Sequence, residues 1–140
     1  MITAAPRFLD TNILLRYLTA DHPERSPRAS ALLHRVERGE ERVVTSPMVI
    51  FELVFTLQHS YRVPRDIIRQ RVMDIINLRG FQLPAKSVYG TAFDFYVEKR
   101  VSFADAFNAA YMDAAGITEV YSWDADFDKF DAVHRLEPSA

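Results

Sequence analysis

The sequence predicts an α/β fold, with a doubly wound, mainly parallel, short-stranded sheet that is flanked by helices. Strand-like and helical segments alternate, and the strand-like segments are short and apolar, without the polar alternation of a half-exposed strand. Such strands are typical of parallel sheets that are covered on both faces. No repeat or linker interrupts the 140 residues, so we expect a single domain over residues 1–140.

The first 84 residues contain three predicted strands and four predicted helices. Gly39 and Gly80 each end a helical pattern, and Ser46-Pro47 is a helix start with serine as the N-cap. We expect the strands at 7–9, 42–46 and 81–84, and the helices at 12–19, 23–38, 47–61 and 64–79.

The rest of the chain predicts two helices followed by two strands. We expect the helices at 86–99 and 103–115, the second ended by Gly116, and the strands at 119–123 and 132–136. In parallel sheets ligands bind beyond the carboxyl ends of the strands. Acidic residues that directly follow a strand are therefore candidates for a functional site.

The composition excludes several classes of protein. It is 49% hydrophobic and 26% charged, without cysteine, so disulfides and thiolate chemistry are excluded. No apolar run reaches the roughly 20 residues of a membrane span. The N-terminus MITAAPRF lacks the features of an export signal. We therefore expect a cytoplasmic protein with no membrane partner.

The charge is distributed unevenly along the chain. Residues 1–100 carry 15 Lys+Arg and 11 Asp+Glu, whereas residues 101–140 carry 2 and 8. Most of the cations are arginines, which suit a phosphate-backbone ligand. Ordinary solvated helix faces are the alternative explanation.

Two aspartates each follow a predicted strand. Asp10 follows Phe8-Leu9, and Asp124 follows the strand that begins at Glu119. We expect both strands to be buried and both acids to lie at the carboxyl edge of the sheet. Asp10 equally suits the N-cap of the next helix, so both roles stay open.

Two further acids lie on predicted helices. Glu52 lies inside MVIFELVFTL, which predicts a helix buried all round, where an ionised carboxylate needs a cation. That cation is a metal or one of the arginines. Asp105 completes a capping box with Ser102, and Asn108 lies three residues later on the same helical face. Capping and function are both open for Asp105.

Asp126 and Asp128 extend the acidic segment that begins at Asp124. Their spacing resembles a calcium loop, but Lys129 and Arg135 occupy the positions that require glycine and glutamate. A solvated acidic turn is the alternative, which we favour for Asp128.

The acids predict a metal site if the fold brings them together. Carboxylates gathered at one edge repel each other unless a cation neutralises them. A set of oxygen ligands alone suits Mg²⁺ or Mn²⁺, and Mg²⁺ often takes further ligands from substrate phosphates. The pattern therefore indicates phosphodiester or phosphoryl chemistry.

Four segments resemble the acidic motifs of PIN-domain nucleases, and in particular the VapC-type toxins of bacterial toxin–antitoxin pairs. They are FLDTNILLRYL, TSPMVIFEL, FADAFNAAYMDAAG and VYSWDADFDKF. The resemblance implies that Asp10, Glu52, Asp105 and Asp124 are the catalytic, metal-binding acids. It also implies supporting roles for Asn12, Asn108, Asp126 and Ser122, where Ser122-Trp123-Asp124 replaces the frequent Thr-x-Asp.

The resemblance also implies a function and partners. It implies a Mg²⁺- or Mn²⁺-dependent endoribonuclease, a homodimer, and a small antitoxin that blocks the site. One or two ions would activate water for attack on phosphorus, with Glu52 or Asp105 as the proton acceptor. The arginines between residues 62 and 79 would then guide the RNA backbone.

Other functions are compatible with parts of this pattern. The main alternative is a catalytically silent PIN-like module that binds RNA or protein, and another is a nuclease acting on single-stranded or flap DNA. Receiver domains need a second acid beside Asp10, and haloacid-type phosphatases need Asp-x-Asp. Thr11-Asn12 matches neither of those two classes.

Overall fold

A computed structural model describes residues 5–140 and confirms an α/β protein with short parallel strands. The chain divides into two compact units, Met1–Lys86 and Ser87–Ala140. Residues 1–4 lie outside the described residues. They are the start of the segment MITAAPRF, for which the sequence predicts no export signal. The single domain over residues 1–140 stays a prediction.

The first unit contains every helix and strand that the sequence predicts for it. Its three strands pair in parallel in the order β1-β2-β3, with Arg7 opposite Val43 and Val43 opposite Phe81. The elements are β1 (Arg7–Phe8), α1 (Thr11–Thr19), α2 (Arg25–Glu37), β2 (Val43–Val44), α3 (Pro47–His59), α4 (Arg65–Ile76) and β3 (Phe81–Gln82).

Hydrogen bonds continue one residue beyond these two-residue strands. The Leu9 amide donates to the Val44 carbonyl at 2.9 Å, and the Thr45 amide donates to the Gln82 carbonyl at 3.1 Å. The buried Thr45 hydroxyl also donates to the Leu9 carbonyl at 2.7 Å. Thr45 therefore joins all three strands at the edge from which α1 and α3 begin.

An aliphatic core holds the helices of the first unit against the sheet. Its buried residues recur at helical spacings of three and four, as expected for helices with one apolar face. They include Leu14, Leu33, Val36, Ile50, Leu53, Ile68, Val72 and Ile76.

The second unit has an aromatic core and a small parallel sheet. Phe93 packs on Phe103 with ring centroids 4.6 Å apart, and both side chains are buried. β4 pairs in parallel with β5. The elements are α5 (Val88–Glu98), α6 (Phe103–Ala115), β4 (Glu119–Tyr121), a 3₁₀ helix (Ala125–Lys129) and β5 (His134–Leu136), of which only the 3₁₀ helix was not expected.

The prediction that Asp10 and Asp124 follow buried strands is wrong. In β1 both residues are exposed, Phe8 to 62%, and burial begins only at Leu9. In β4 only Val120 is partly buried. A short apolar sequence does not ensure burial, because strands of two or three residues at a sheet edge need not be covered.

Helix α3 is not buried all round, contrary to expectation. Val49, Ile50 and Leu53 are buried, but Met48 is 75% exposed and Phe55 is 64% exposed on the other side. None of the helices formed by residues 5–140 has the length and apolarity that crossing a bilayer requires.

Gly80 provides a test of packing between α2 and the sheet. A Cβ at this position would lie 2.2 Å from the Glu41 carbonyl oxygen. We expect Gly80→Ala to lower the free energy of unfolding by about 1–3 kcal/mol, because the backbone must move apart. Thermal unfolding followed by circular dichroism measures the change.

Gly90→Ala is the matched control. No heavy atom of the described chain outside its own helix lies within 4 Å of a Cβ placed there, within α5. Alanine should stabilise this helix by about 0.5–1 kcal/mol. Equal effects of the two substitutions would contradict the close approach at Gly80.

Candidate active site

Three predicted acids of the second unit form a cluster. One carboxylate oxygen from each of Asp105, Asp124 and Asp126 lies within 4.8 Å of the others. Asp105 and Asp126 are partly buried, and Asp124 is exposed. The oxygens are close enough to share one cation, and all are of the type that Mg²⁺ or Mn²⁺ prefers.

Asp105 lies in the first turn of α6, and its position in the cluster depends on how this helix begins. Ser102 is the N-cap, and its hydroxyl oxygen accepts a hydrogen bond from the Asp105 amide at 3.1 Å. The capping role that the sequence left open therefore belongs to Ser102. The Asp105 carboxylate lies on the first turn, where the positive end of the helix dipole favours an acid.

A short chain of hydrogen bonds positions Asp124 and Asp126 after β4. The Asp124 amide donates to the Ser122 hydroxyl oxygen at 2.9 Å. The Asp124 carboxylate accepts from the Asp126 amide at 2.9 Å and so caps the 3₁₀ helix. Ser122 therefore contacts the backbone amide of Asp124.

Asp126 and Asp128 pair with different cations, and of the two only Asp126 lies in the acid cluster. The Asp128 carboxylate accepts two hydrogen bonds from Arg135, at 3.0 and 3.3 Å, so this acid lies in an ion pair. Asp126 pairs with Lys129 at 3.3 Å but keeps its place in the cluster. Asp126 therefore lies both in the acid cluster and in an ion pair at the protein surface.

The carboxylates of the cluster repel one another, and within residues 5–140 Lys129 pairs with Asp126 but not with Asp105 or Asp124. Partial burial and then the negative charge of Asp124 raise the pKa of Asp105, and Asp126 contributes in the same direction. The Ser102 hydroxyl opposes these effects in part. A divalent cation would remove the repulsion, so the donor set fits the predicted metal.

Asp10 lies in the first unit, at the start of α1. Its carboxylate accepts a hydrogen bond from the Thr11 amide at 2.8 Å, so Asp10 is the N-cap of this helix. The side chain is exposed, and its second oxygen makes no hydrogen bond to the described chain. Capping therefore leaves Asp10 able to bind a cation as well.

Glu52 lies on the exposed side of α3, one turn after Met48. The prediction of a buried carboxylate is wrong here, because the apolar residues around Glu52 are themselves partly exposed. The alternative, an arginine partner, is not seen either, since Glu52 forms no ion pair within residues 5–140. The burial cost that singled out Glu52 does not apply, and its role rests on the motif alone.

The two supporting asparagines lie in different surroundings. Asn12 is exposed on the first turn of α1 and borders a groove between α1 and α2. Asn108 is exposed on α6, one turn after Asp105. Trp123, which precedes Asp124, is 74% exposed, and the sequence analysis assigned it no role.

Comparison with known proteins identifies the family. A family model described as the PIN domain matches residues 7–133, which include all four motif acids. The chain belongs to the PIN-domain family. It is also 28% identical over 135 residues to the VapC ribonuclease of Aquifex aeolicus (strain VF5), covering 95% of this chain and 99% of that protein.

The acid cluster of this PIN-domain protein predicts a pH-dependent stability. Because the pKa of Asp105 is raised by folding, the native state binds more protons, and stability falls as the pH rises through this range. In EDTA at pH 7, Asp105→Asn should raise the melting temperature. The gain should disappear as the pH falls below the unfolded value of 3.8.

Asp128→Asn removes the same charge but breaks the ion pair with Arg135, so it should not raise the melting temperature. Mn²⁺ should raise the melting temperature of the wild type more than that of Asp105→Asn. A ligand that binds only the native state stabilises it, and the variant lacks one of the proposed metal ligands. Differential scanning fluorimetry measures all three proteins. A lower melting temperature for Asp105→Asn in EDTA would contradict the repulsion.

Proposed function

We propose that this PIN-domain protein is a divalent-metal-dependent endoribonuclease and the toxin of a type II toxin–antitoxin pair. The observation that carries the proposal is the cluster of Asp105, Asp124 and Asp126, with the raised pKa of Asp105. The similarity to a protein named VapC ribonuclease supports the substrate class.

The proposed catalytic residues are Asp10, Glu52, Asp105 and Asp124, which hold Mg²⁺ or Mn²⁺. Three of the four carboxylates are exposed and none is held in an ion pair within residues 5–140, so all remain available as ligands. Asp126 assists from the cluster, while Asn12 and Asn108 support the site with neutral polar groups.

The chain's own residues supply positioning and charge. The Ser122 hydroxyl accepts a hydrogen bond from the Asp124 amide and so orients Asp124. Ser102 caps α6 by accepting a hydrogen bond from the Asp105 amide. When bound, a divalent cation activates water for attack on phosphorus and offsets charge on the leaving oxygen. The acids therefore act chiefly by holding positive charge where the phosphodiester reacts.

We further propose a cytoplasmic homodimer that is inhibited by a small antitoxin. Exposed apolar side chains in the first unit support a protein partner, because Met48 and Phe55 lie on the same side of α3. Covering such residues stabilises association through the burial of apolar surface.

Asp10→Asn tests the catalytic proposal. Asparagine keeps an oxygen that accepts the Thr11 amide, so α1 stays capped while one negative charge is lost. We expect cleavage of a labelled RNA in Mn²⁺ to fall about 10²-fold or more. EDTA should abolish wild-type cleavage.

Asp113→Asn is the matched control, since Asp113 is exposed on α6 and lies outside the acid cluster. It should cleave RNA at the wild-type rate. Full activity of Asp10→Asn, or wild-type activity in excess EDTA, would contradict the proposal. RNA binding by the wild type without cleavage would instead favour the silent-module alternative.

The partner proposal predicts that a small DNA-binding protein is encoded beside this chain. Added in equimolar amount, that protein should suppress RNA cleavage and bind in a defined ratio. Light scattering after size exclusion should give twice the mass of the chain in its absence. A monomeric mass would contradict the homodimer. A neighbouring gene product that neither binds nor inhibits the chain would contradict the antitoxin proposal.

A further inference from the structure

The first unit contains a basic groove. It lies between α1 and α2 and has a volume of about 620 Å³. Four guanidinium groups line it, and no carboxylate does. We call it the α1–α2 groove, and its cations are Arg16, Arg25, Arg28 and Arg35.

Helical spacing explains why the cations meet in this groove. Arg25, Arg28 and Arg35 are separated by three and seven residues, so they lie on one face of α2. Arg16 lies one turn beyond Asn12 on α1, and both side chains border the groove. The arginines thus form a row along one wall, faced by a further cation.

Two of these guanidinium groups have no counter-ion. Arg16 pairs with Asp21 at 3.0 Å, and Arg35 pairs with Glu41 at 3.2 Å. Arg25 and Arg28 are exposed, and in the part of the chain that the structure describes they form no ion pair. The groove therefore carries net positive charge that a bound anion would offset.

The length of the row favours a chain of phosphates over a single anion. Ten residues separate Arg25 from Arg35, which corresponds to about 15 Å along the helix axis. Guanidinium groups bind phosphate through paired hydrogen bonds, which ammonium groups cannot arrange in the same way. Ile13 and Leu32 also line the groove and give it apolar surface that an unpaired base can contact.

Position connects this groove with the proposed catalytic acid. Asn12 borders the groove and lies in the same first turn of α1 that Asp10 caps. A ligand in the groove would therefore run from the arginines toward Asp10. An acidic peptide would satisfy the charge, but this continuity with a nuclease acid favours the substrate.

We propose that the α1–α2 groove binds the phosphodiester backbone of single-stranded RNA and leads it to Asp10. The proposal rests on the proposed function and replaces residues 62–79 as the guide for the substrate. From that earlier set, Arg71 lines a different cavity whose other lining residues include two acids, Glu37 and Asp74.

The test is the double variant Arg25→Ala/Arg28→Ala, with fluorescein-labelled single-stranded RNA as the probe. Binding is measured by anisotropy in EDTA over a range of salt concentrations, and a gel confirms that the RNA stays intact. We expect Kd to rise about 10-fold or more. The slope of log K against log salt should fall in magnitude by about 1.4, because two phosphate contacts are lost.

The matched control is Arg38→Ala/Arg100→Ala, which removes the same charge from two exposed arginines that do not line the groove. It should change Kd by less than about threefold and keep the wild-type slope. In Mn²⁺ the groove variant should raise KM for RNA cleavage with little change in kcat. Should the alanine variant melt early, Arg25→Gln/Arg28→Gln repeats the test with longer polar side chains.

The outcomes separate the inference from the proposed function. A wild type that cleaves RNA, with a groove variant of unchanged Kd and slope, would overturn the groove and leave the nuclease standing. A wild type that neither binds nor cleaves RNA would overturn both. A groove variant that binds RNA normally but loses a labelled oligoglutamate peptide would overturn the RNA assignment in favour of an acidic protein segment.

Discussion

The buried hydrogen bond from the Thr45 hydroxyl to the Leu9 carbonyl is the constraint on which the first unit depends. Each strand is only two residues long, so ordinary ladder bonds are few, and Thr45 extends the pairing across all three strands. The chain leaves this junction directly into α1 and α3. The positions of Asp10 and Glu52 therefore follow from where a very small sheet ends.

Electrostatic repulsion plays the corresponding part in the second unit. Hydrogen bonds from backbone amides hold Asp124 and the 3₁₀ helix in place, and α6 brings Asp105 toward the same point. Folding thus concentrates negative charge, of which Lys129 offsets the part on Asp126. Acids with a pKa raised by burial and by neighbouring acids are enriched at functional sites.

Local sequence signals predicted most of the fold. The predicted helices and strands all exist, because N-caps such as Ser46 and Ser102 and the left-handed glycine at Gly116 act within a few residues. The 3₁₀ helix was missed because it depends on the Asp124 carboxylate accepting a bond from Asp126. Burial was predicted poorly, because it depends on tertiary contacts that a run of apolar residues does not identify.

The candidate site was predicted in part for the same reason. Asp124 was recognised from its position after a strand and Asp105 from its position at a helix start, whereas Asp126 was noted only as an extension of the acidic segment. The reasoning for Glu52 was wrong, because exposure of α3 is a property of the assembled unit. The spacing of three and seven residues predicts that the arginines of α2 lie on one face of the helix. It does not predict the groove, because α1 forms the facing wall.

The exposure of Glu52 has a consequence for how this protein can change. A carboxylate in water with no partner contributes little to the folded state, so the scaffold would survive its replacement almost unaltered. The proposed catalytic role of Glu52 is thus separable from the stability of the fold. Under the proposed function, a chain without this acid would fold normally and lose cleavage while keeping its recognition surfaces.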